Sequence, residues 1–372
     1  MNYIDQQKMK QVNGTHILKL IRENEGLTRR ELERISFMSW GAVSQITSKL
    51  MEDKYIIEQK LKNDGAGRTP SGLFLNPNEH FTLGLDINRS GMRAVLINLK
   101  NEIIGSIFEQ IQTTAFPEFL DNIVEFAKKG VGLANSKHIL GVGVAMQGEV
   151  DSKNGISIRF PGCEGWENVE ISKILSEQFG TSVFTEHDPN CIIYAYSAES
   201  DCKDAVLIRA DKGVGMAMMI DGEIFNRQGS LEIAHIAAYP CNDDKFADRL
   251  ESYASQSGIE SALNNRFENI ACAARSGDDK CIGFFKKTAD ALSFATANFC
   301  TMMNIQNVVL CGDLFYYKDL FYDGFVSGCE KYCPNGSRPV FTETDVKNAA
   351  RGAALIAADK MIEKIYSEEE NQ

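Results

Sequence analysis

The sequence predicts a mixed α/β protein with a small helical head in front of a larger body, and two observations support this. Within the first 78 residues, three helical patterns are followed by two short strand patterns. From residue 79 onward, apolar runs of strand length alternate with helical stretches. Because helices and strands have different hydrophobic periods, this order predicts domains at 1–78 and 79–372, with a boundary between two lobes of the body near residue 190.

Length and composition fit an ordinary globular protein. The 372 residues suffice for two or three domains, and the hydrophobic and charged fractions are 44% and 24%. No run of 18 apolar residues occurs, so no membrane span is expected. The first five residues lack the apolar core of a signal peptide. We therefore expect a cytoplasmic protein in which the cysteines are reduced and buried.

Charge divides unevenly along the chain. Residues 1–70 hold 12 Lys+Arg against 9 Asp+Glu, a net of +3, whereas the whole chain carries −12. A weakly basic head on an acidic body fits a protein that contacts DNA locally while the body is repelled by the duplex.

The first two helical patterns of the head are short. One runs from about Asn13 to near Gly26, with apolar residues on a single face. The other opens at Thr28 and has Glu31 three residues later, the spacing of a capping box in which the two residues satisfy each other's free amides. Both patterns predict short amphipathic helices.

A third helix is predicted to start at Ser39, with Val43, Ile46 and Leu50 on its buried side. Its other face carries small hydroxyl and amide side chains that can donate and accept hydrogen bonds, as in a helix-turn-helix recognition helix. Strands at 55–59 and 71–75 around the Gly-rich, Arg-bearing loop 63–70 predict a wing. A three-helix protein-interaction module is the alternative. The predicted DNA-binding residues are Thr28, Arg29, Ser39, Trp40, Gly41, Ser44, Gln45, Ser48 and, at the wing tip, Arg68.

The body begins with three strand patterns at 81–87, 94–98 and 103–110, then a helix around 116–129 and a strand at 139–145. This order predicts an actin/hexokinase-like lobe. Its first turn, Asn88–Gly91, normally presents adjacent glycines to a phosphate, but this turn has only Gly91. The phosphate-binding element is therefore predicted to be lost.

Five segments of the chain carry a family resemblance. They are Gly65–Pro70 with Leu73–Leu85, Gly141–Asp151, Glu186–Asn190 and Glu232–His235. On these segments the chain resembles the ROK family, which includes sugar kinases and winged-helix sugar-responsive repressors, and it is most similar to the repressor branch. The resemblance covers nearly the whole chain, and the alanine-rich segment 346–364 matches the family's closing helix, which returns to the first lobe.

The resemblance implies a set of ligand-binding positions. Asp188 stands where the family's kinases place the carboxylate that takes the proton from the sugar hydroxyl, and here we expect it to bind ligand only. His187 stands where the family usually has Asn, so the resemblance does not imply the common hexose specificity. The implied ligand-binding residues are Gly148, His187, Asp188, Glu232, His235 and Glu251.

The same resemblance predicts the loss of the family's cofactor sites. Asn242, Asp244 and Arg249 stand at its zinc-ligating cysteine positions, and Cys241 stands alone, so no metal is expected. Glycines are also fewer around Gly213 and Gly312, where the kinases hold nucleotide. We therefore expect no ATP binding and no cofactor.

These observations predict a DNA-binding transcriptional regulator, most simply a repressor of carbohydrate-utilisation genes, and not an enzyme. The expected partners are a palindromic operator, a carbohydrate-like effector in the interlobe cleft and a second copy of the chain, as a homodimer or a dimer of dimers. Two alternatives stay open. One is an ATP-dependent sugar kinase that carries a DNA-binding head, and the other is a ligand-independent DNA-binding protein with a vestigial cleft.

Overall fold

The structure is a computed structural model that describes residues 6–61, 70–225, 231–238, 249–333 and 339–365. The chain divides into two units. The first comprises Met1–Gly148, Lys153–Glu186 and Ala353–Gln372, and the second comprises Glu149–Ser152 and His187–Gly352. The head therefore lies in the same unit as the first lobe of the body.

The head has three helices and a two-stranded antiparallel sheet, as predicted. These elements are α1 (Gln6–Glu23), α2 (Arg29–Ser36), α3 (Trp40–Glu52), β1 (Ile56–Lys60) and β2 (Ser71–Leu75). The predicted start of the first helix near Asn13 is wrong, because α1 begins at Gln6. Its first residues are Gln, Lys and Met, which favour helix by intrinsic propensity but do not produce an apolar stripe.

Side-chain caps fix where α2 and α3 begin. The Glu31 amide donates to Thr28 Oγ1 at 3.3 Å, and the Thr28 amide donates to Glu31 Oε2 at 2.8 Å, which confirms the capping box. These bonds from Thr28 hold the pKa of Glu31 below its ordinary value. Ser39 Oγ accepts from the Ala42 amide at 3.3 Å and caps α3, so both predicted helix starts are confirmed.

The head and the first lobe share one hydrophobic core. Buried residues of the head such as Ile17, Leu32 and Leu50 belong to the same cluster as Leu140 and Ile362 of the lobe. Burial of apolar surface is the main stabilising contribution to such packing. The head is therefore anchored on the lobe by shared core residues.

The first lobe is built on a five-stranded sheet. Its elements, in chain order, are β3 (His80–Asn88), β4 (Gly91–Asn98), β5 (Ile103–Glu109), α4 (Glu118–Gly132), β6 (His138–Met146), β8 (Ile156–Arg159), α5 (Ile171–Phe179) and β9 (Ser182–His187). The short strand β7 (Glu149–Asp151) comes between β6 and β8 in the chain. The strand order is β5-β4-β3-β6-β9. Strands β3, β4 and β5 are antiparallel neighbours, and β6 lies parallel to β3.

The second unit contains a sheet of the same plan. Its elements are α6 (Asp188–Ser200), β10 (Ala205–Ala210), β11 (Val214–Ile220), β12 (Glu223–Ile224), α7 (Leu250–Ala254), α8 (Gln256–Leu263), α9 (Phe267–Arg275), α10 (Asp279–Met303), β13 (Asn307–Cys311), α11 (Tyr322–Tyr332) and β14 (Val340–Glu343). Its order is β12-β11-β10-β13-β14, again with an antiparallel meander beside a parallel strand. Two such sheets confirm the predicted actin/hexokinase-like body.

The closing helix, α12 (Asn348–Lys364), joins the first unit from Ala353 onward. Its backbone runs so close to β6 that a Cβ on Gly143 would lie 1.9 Å from the Ala353 carbonyl oxygen. Gly143 is therefore required by packing. In the described part of the chain, no helix is long and apolar enough to cross a membrane, and every cysteine is free of a disulfide.

Candidate DNA interface and ligand site

Most of the predicted recognition residues lie on the open face of α3. Trp40 is 47% exposed, and Ser44 is half-buried. The exposed members of the set are Ser39, Trp40, Gly41, Gln45 and Ser48. The first turns of α3 therefore present hydroxyl, amide and indole groups to solvent, in the arrangement that the major groove accepts.

Thr28 and Arg29 are engaged within the head. The Thr28 side chain completes the α2 cap. Arg29 Nε donates to Thr47 Oγ1 at 3.1 Å, and its Nη1 lies 3.0 Å from Glu58 Oε2. Arg29 therefore links α2, α3 and β1, and its predicted contact with DNA stays a prediction. Arg68 and most of the wing loop lie outside the described residues.

One residue beside this face, Phe37, was missed by sequence reasoning. Phe37 is 95% exposed and has a left-handed backbone (φ 57°) in the turn between α2 and α3. A bulky residue in that conformation is an outlier, because glycine normally takes it. A Cβ added to Gly41 would meet nothing within 4 Å, so no contact within the head requires glycine there.

In the first lobe, side chains of the protein itself accept hydrogen bonds from the amides of the turn after β3. The Ser90 amide donates to Asn88 Oδ1 at 2.8 Å, and the Arg89 amide donates to Gln147 Oε1 at 2.9 Å. A phosphate site needs such amides to be available. Gly91 has a structural reason to be glycine, because a Cβ would lie 2.5 Å from the Glu109 carbonyl oxygen.

The corresponding region of the second unit carries acidic groups. The Asp313 amide donates to Asp211 Oδ1 at 2.5 Å. Burial and the neighbouring Asp211 raise the pKa of Asp313. Gly312 has φ 109°, and a Cβ there would lie 2.3 Å from the Ala210 carbonyl oxygen. This glycine is therefore also explained by packing, and the carboxylates beside it are unfavourable neighbours for a nucleotide phosphate.

Asp188 is the first residue of α6, and its carboxylate is held by Arg209 of β10. The two side chains form an ion pair and are only 3% and 13% exposed. Arg209 Nε also donates to Asp211 at 2.5 Å, and His187 Nε2 lies 3.6 Å from Asp188. Arg209 was not predicted as a site residue. It stands 21 positions after Asp188, and sequence spacing gave no sign that the two would meet.

Of the other predicted ligand residues, Gly148 belongs to the first unit and the rest belong to the second. Gly148 has φ 99°, and a Cβ would lie 2.3 Å from the Arg159 carbonyl oxygen, so packing alone requires glycine. Glu232 and His235 form an exposed pair at 3.6 Å. Glu251 lies near the β10–β11 turn, since a Cβ on Gly213 would be 2.9 Å from its Oε1.

Of the segment that matches the family's zinc loop, the structure describes only the two ends. Cys241, Asn242 and Asp244 lie outside the described residues. Arg249, at one of the family's cysteine positions, has its Nη1 atom 3.1 Å from His235 Nδ1. A guanidinium only donates, so Nδ1 accepts this bond.

Comparison with known families decides what the chain is. A profile described as "ROK family" matches residues 82–364, most of the chain. The chain belongs to the ROK family. A second profile, described as "Winged helix-turn-helix DNA-binding", matches residues 14–57, which contain α2 and α3. This ROK member therefore carries a winged helix-turn-helix head of the DNA-binding type.

Curated relatives extend over both parts of this ROK protein. It is 21% identical over 345 residues to the xylose repressor of Caldicellulosiruptor bescii, with 85% of this chain and 86% of that protein covered. It is 23% identical over 334 residues to the N-acetylglucosamine repressor of Escherichia coli O157:H7, with 82% and 81% covered.

Solved structures confirm the fold. A ROK family transcriptional regulator, described as a homolog of the E. coli MLC protein, superimposes with a TM-score of 0.81 at 18% identity and covers 96% of this chain and 98% of its own. The ROK hexokinase from Thermus thermophilus superimposes with a TM-score of 0.66 at 18% identity. It covers 74% of this chain and 97% of its own.

Proposed function

We propose that this ROK protein is a sequence-specific transcriptional repressor of carbohydrate-utilisation genes, whose body binds a sugar-like effector and does not transfer phosphate. The observation that carries the proposal is the Asp188–Arg209 ion pair. A general base must reach the hydroxyl whose proton it takes. A carboxylate held by a guanidinium has to give up that bond first, whereas a carboxylate that only binds a sugar can keep its second oxygen for the ligand.

The phosphate-binding turns support the same proposal. The Ser90 amide is bonded within the first turn, the Arg89 amide is bonded to the Gln147 side chain, and the Asp313 amide is bonded to a carboxylate in the second unit. Phosphoryl transfer depends almost entirely on positioned donors and cations around the phosphates. ATP is therefore not expected as a cofactor.

The protein is also expected to hold no zinc at the family's position. Arg249 donates to His235 Nδ1, and a permanent cation next to this imidazole opposes a second cation there. Structural zinc needs four ligands, and Asn and Arg replace cysteines in this segment. The residues present do not fit the ion.

On the DNA side, we expect two copies of the chain to form a homodimer, or a dimer of dimers, that reads a palindromic operator through two α3 helices. The effector would contact hydroxyl-binding groups among His187, Asp188, Glu232, His235 and Glu251. The change that the effector causes in the free energy of DNA binding equals the difference between its binding free energies for the DNA-bound and the free conformation of the protein.

The test combines two measurements on the full chain. A thermal-shift screen of sugars and sugar phosphates should identify at least one stabilising ligand, and that ligand should weaken operator binding. Incubation with ATP and each hexose should give no turnover. Turnover that Asp188→Asn abolishes would establish the kinase alternative. The absence of any thermal shift across the panel would establish a ligand-independent DNA-binding protein.

The division of roles within the head has its own test. Gln45→Ala should reduce the preference for operator over random DNA by about 1–3 kcal/mol, because Gln45 is exposed on α3 and suited to base edges. Arg68→Ala should weaken binding to all sequences and lower the salt slope by about one. Equal effects of both changes on operator and random DNA would contradict this division.

A further inference from the structure

Two histidines meet where the wing of the head adjoins the first lobe. His80 is the first residue of β3 and His138 is the first residue of β6, and the two are register partners in the parallel pair. Their Nδ1 atoms are 3.3 Å apart. His80 is half-buried, whereas His138 is exposed, so the pair is open to solvent on one side.

The hydrogen bond on the other side of the His80 ring fixes its tautomer. His80 Nε2 lies 2.8 Å from the Asp53 carbonyl oxygen. A carbonyl oxygen only accepts, so Nε2 carries the proton and the Nδ1 lone pair of the neutral ring points towards His138. Metal-bound histidines in proteins have this same arrangement, in which the second ring nitrogen donates to a carbonyl or carboxylate.

The surroundings hold the ring in place and leave room beside it. The ring of Tyr55, just before β1, stacks on His80 with centroids 4.2 Å apart. His138 and Tyr55 also line a cavity of about 470 Å³, whose polar wall includes Ser176, Thr181 and Ser182. Burial lowers the pKa of His80, and the nearby His138 lowers it further, so the ligand-competent neutral ring is favoured.

We propose that His80 and His138 together bind one divalent transition ion of the zinc, nickel and copper class through their Nδ1 atoms. Two bonds of about 2.0–2.1 Å at a tetrahedral angle place the nitrogens about 3.4 Å apart, close to the spacing here. Imidazole nitrogen is a preferred ligand of these ions. On binding, the proton of the His138 ring lies on Nε2, and both Nδ1 lone pairs face the ion.

Water completes the coordination sphere. Among the residues that the structure describes, no group of three or more His, Cys, Asp or Glu side chains is arranged to hold a metal. The ion therefore has two protein ligands, and the adjoining cavity accommodates its remaining water ligands. This site is distinct from the family's zinc segment. Because His80 touches both Tyr55 and Asp53, the bound ion stiffens the contact between wing and lobe.

The experiment measures binding of Zn²⁺ and Ni²⁺ to the metal-free full chain by calorimetry and chelator competition. We expect one ion per chain, at least about tenfold weaker binding in His138→Gln and in His80→Gln, and unchanged binding in His16→Gln, an exposed histidine on α1. Circular dichroism checks that each variant folds. Binding that survives His138→Gln, or no binding at millimolar ion, would overturn the proposal.

Two further measurements locate the ion. Cys241→Ser should leave binding unchanged, and loss of binding in that variant would assign the ion to the zinc-like segment and overturn the proposal. Bound ion should also slow amide hydrogen exchange in residues 53–61 of the wild type but not of His138→Gln. Unaltered exchange in wild type at saturating ion would show that the ion does not bridge wing and lobe.

Discussion

Asp188 at the start of α6 accepts a hydrogen bond from Nη1 of Arg209 on β10, while Arg209 Nε donates to Asp211 at 2.5 Å. One guanidinium therefore neutralises two carboxylates in a largely buried setting. Breaking such a pair by removing one partner costs about 3–5 kcal/mol, because the remaining charges stay buried without compensation. Arg209→Met, which conserves much of the side-chain volume, should lower the free energy of unfolding in urea by that amount.

The matched control for Arg209→Met is Arg275→Met. Arg275 also pairs with a carboxylate, that of Asp319, but both side chains are about half exposed, at 45% and 52%. Exposed pairs are screened by solvent, so this change should leave stability nearly unaltered. Equal losses of unfolding free energy in the two variants would mean that burial does not increase the stabilising effect of the Asp188–Arg209 pair.

Gly41 is the second residue of α3, and nothing in the head approaches within 4 Å of where its Cβ would be. Glycine in a helix costs up to about 1 kcal/mol relative to alanine, so Gly41→Ala should raise the free energy of unfolding by about 0.5 kcal/mol. If Gly41 lets the α3 backbone approach DNA closely, the same change should weaken operator binding in a fluorescence-anisotropy titration.

Gly283 provides the comparison for Gly41. It lies within α10, and its Cβ would also meet nothing within 4 Å. Gly283→Ala should raise stability without changing operator affinity. If both alanine variants bind operator as tightly as the wild type, Gly41 has no role at the DNA interface.

How far the sequence predicts this protein depends on the range of the interactions involved. The capping box of Thr28 and Glu31 and the three consecutive strands that open the body were predictable, because they depend on neighbouring residues and on hydrophobic period. The Asp188–Arg209 pair was not, because it depends on how β10 lies beside α6. The shared core of head and lobe was not predictable either. The sequence pattern around a buried leucine such as Leu140 is the same whether it packs within its own domain or against the neighbouring one.

Phe37 combines a left-handed backbone with almost complete exposure, so little in the folded head compensates its strain. A left-handed residue with a side chain costs roughly 1–2 kcal/mol, part of which glycine recovers. Phe37→Gly should therefore raise the free energy of unfolding by about 1 kcal/mol. Because apolar side chains read thymine methyl groups, we expect the change also to weaken operator binding.

Asn264→Gly is the control for Phe37→Gly. Asn264 is also a left-handed residue at a helix C-terminus, with φ 50°, and it lies at the end of α8 in the second unit. Its replacement should alter stability slightly and operator affinity not at all. An operator affinity that Phe37→Gly leaves unchanged would show that the exposed ring serves something other than DNA.

The buried face of His80 makes the stability of the first unit depend on pH. Burial lowers the pKa of His80 below its ordinary value of about 6.5, and His138 lowers it further, whereas Asp53 and Glu79 partly oppose these effects. Between the lowered pKa and 6.5, the unfolded chain binds more protons at this position than the folded chain. The contribution of His80 is therefore complete above about pH 6.5 and declines as the pH falls below it.

Urea unfolding at intervals from pH 7.5 to 5.5, with chelator present, measures this dependence. The wild type should lose stability towards pH 5.5 more steeply than His80→Gln, because the variant lacks the group whose protonation favours the unfolded state. His16→Gln, at an exposed position of α1, should keep the wild-type slope. A His80→Gln slope as steep as that of the wild type would assign the acid sensitivity to other groups. Since His80 contacts Tyr55 and the Asp53 carbonyl, a confirmed difference would place that sensitivity at the contact between wing and lobe.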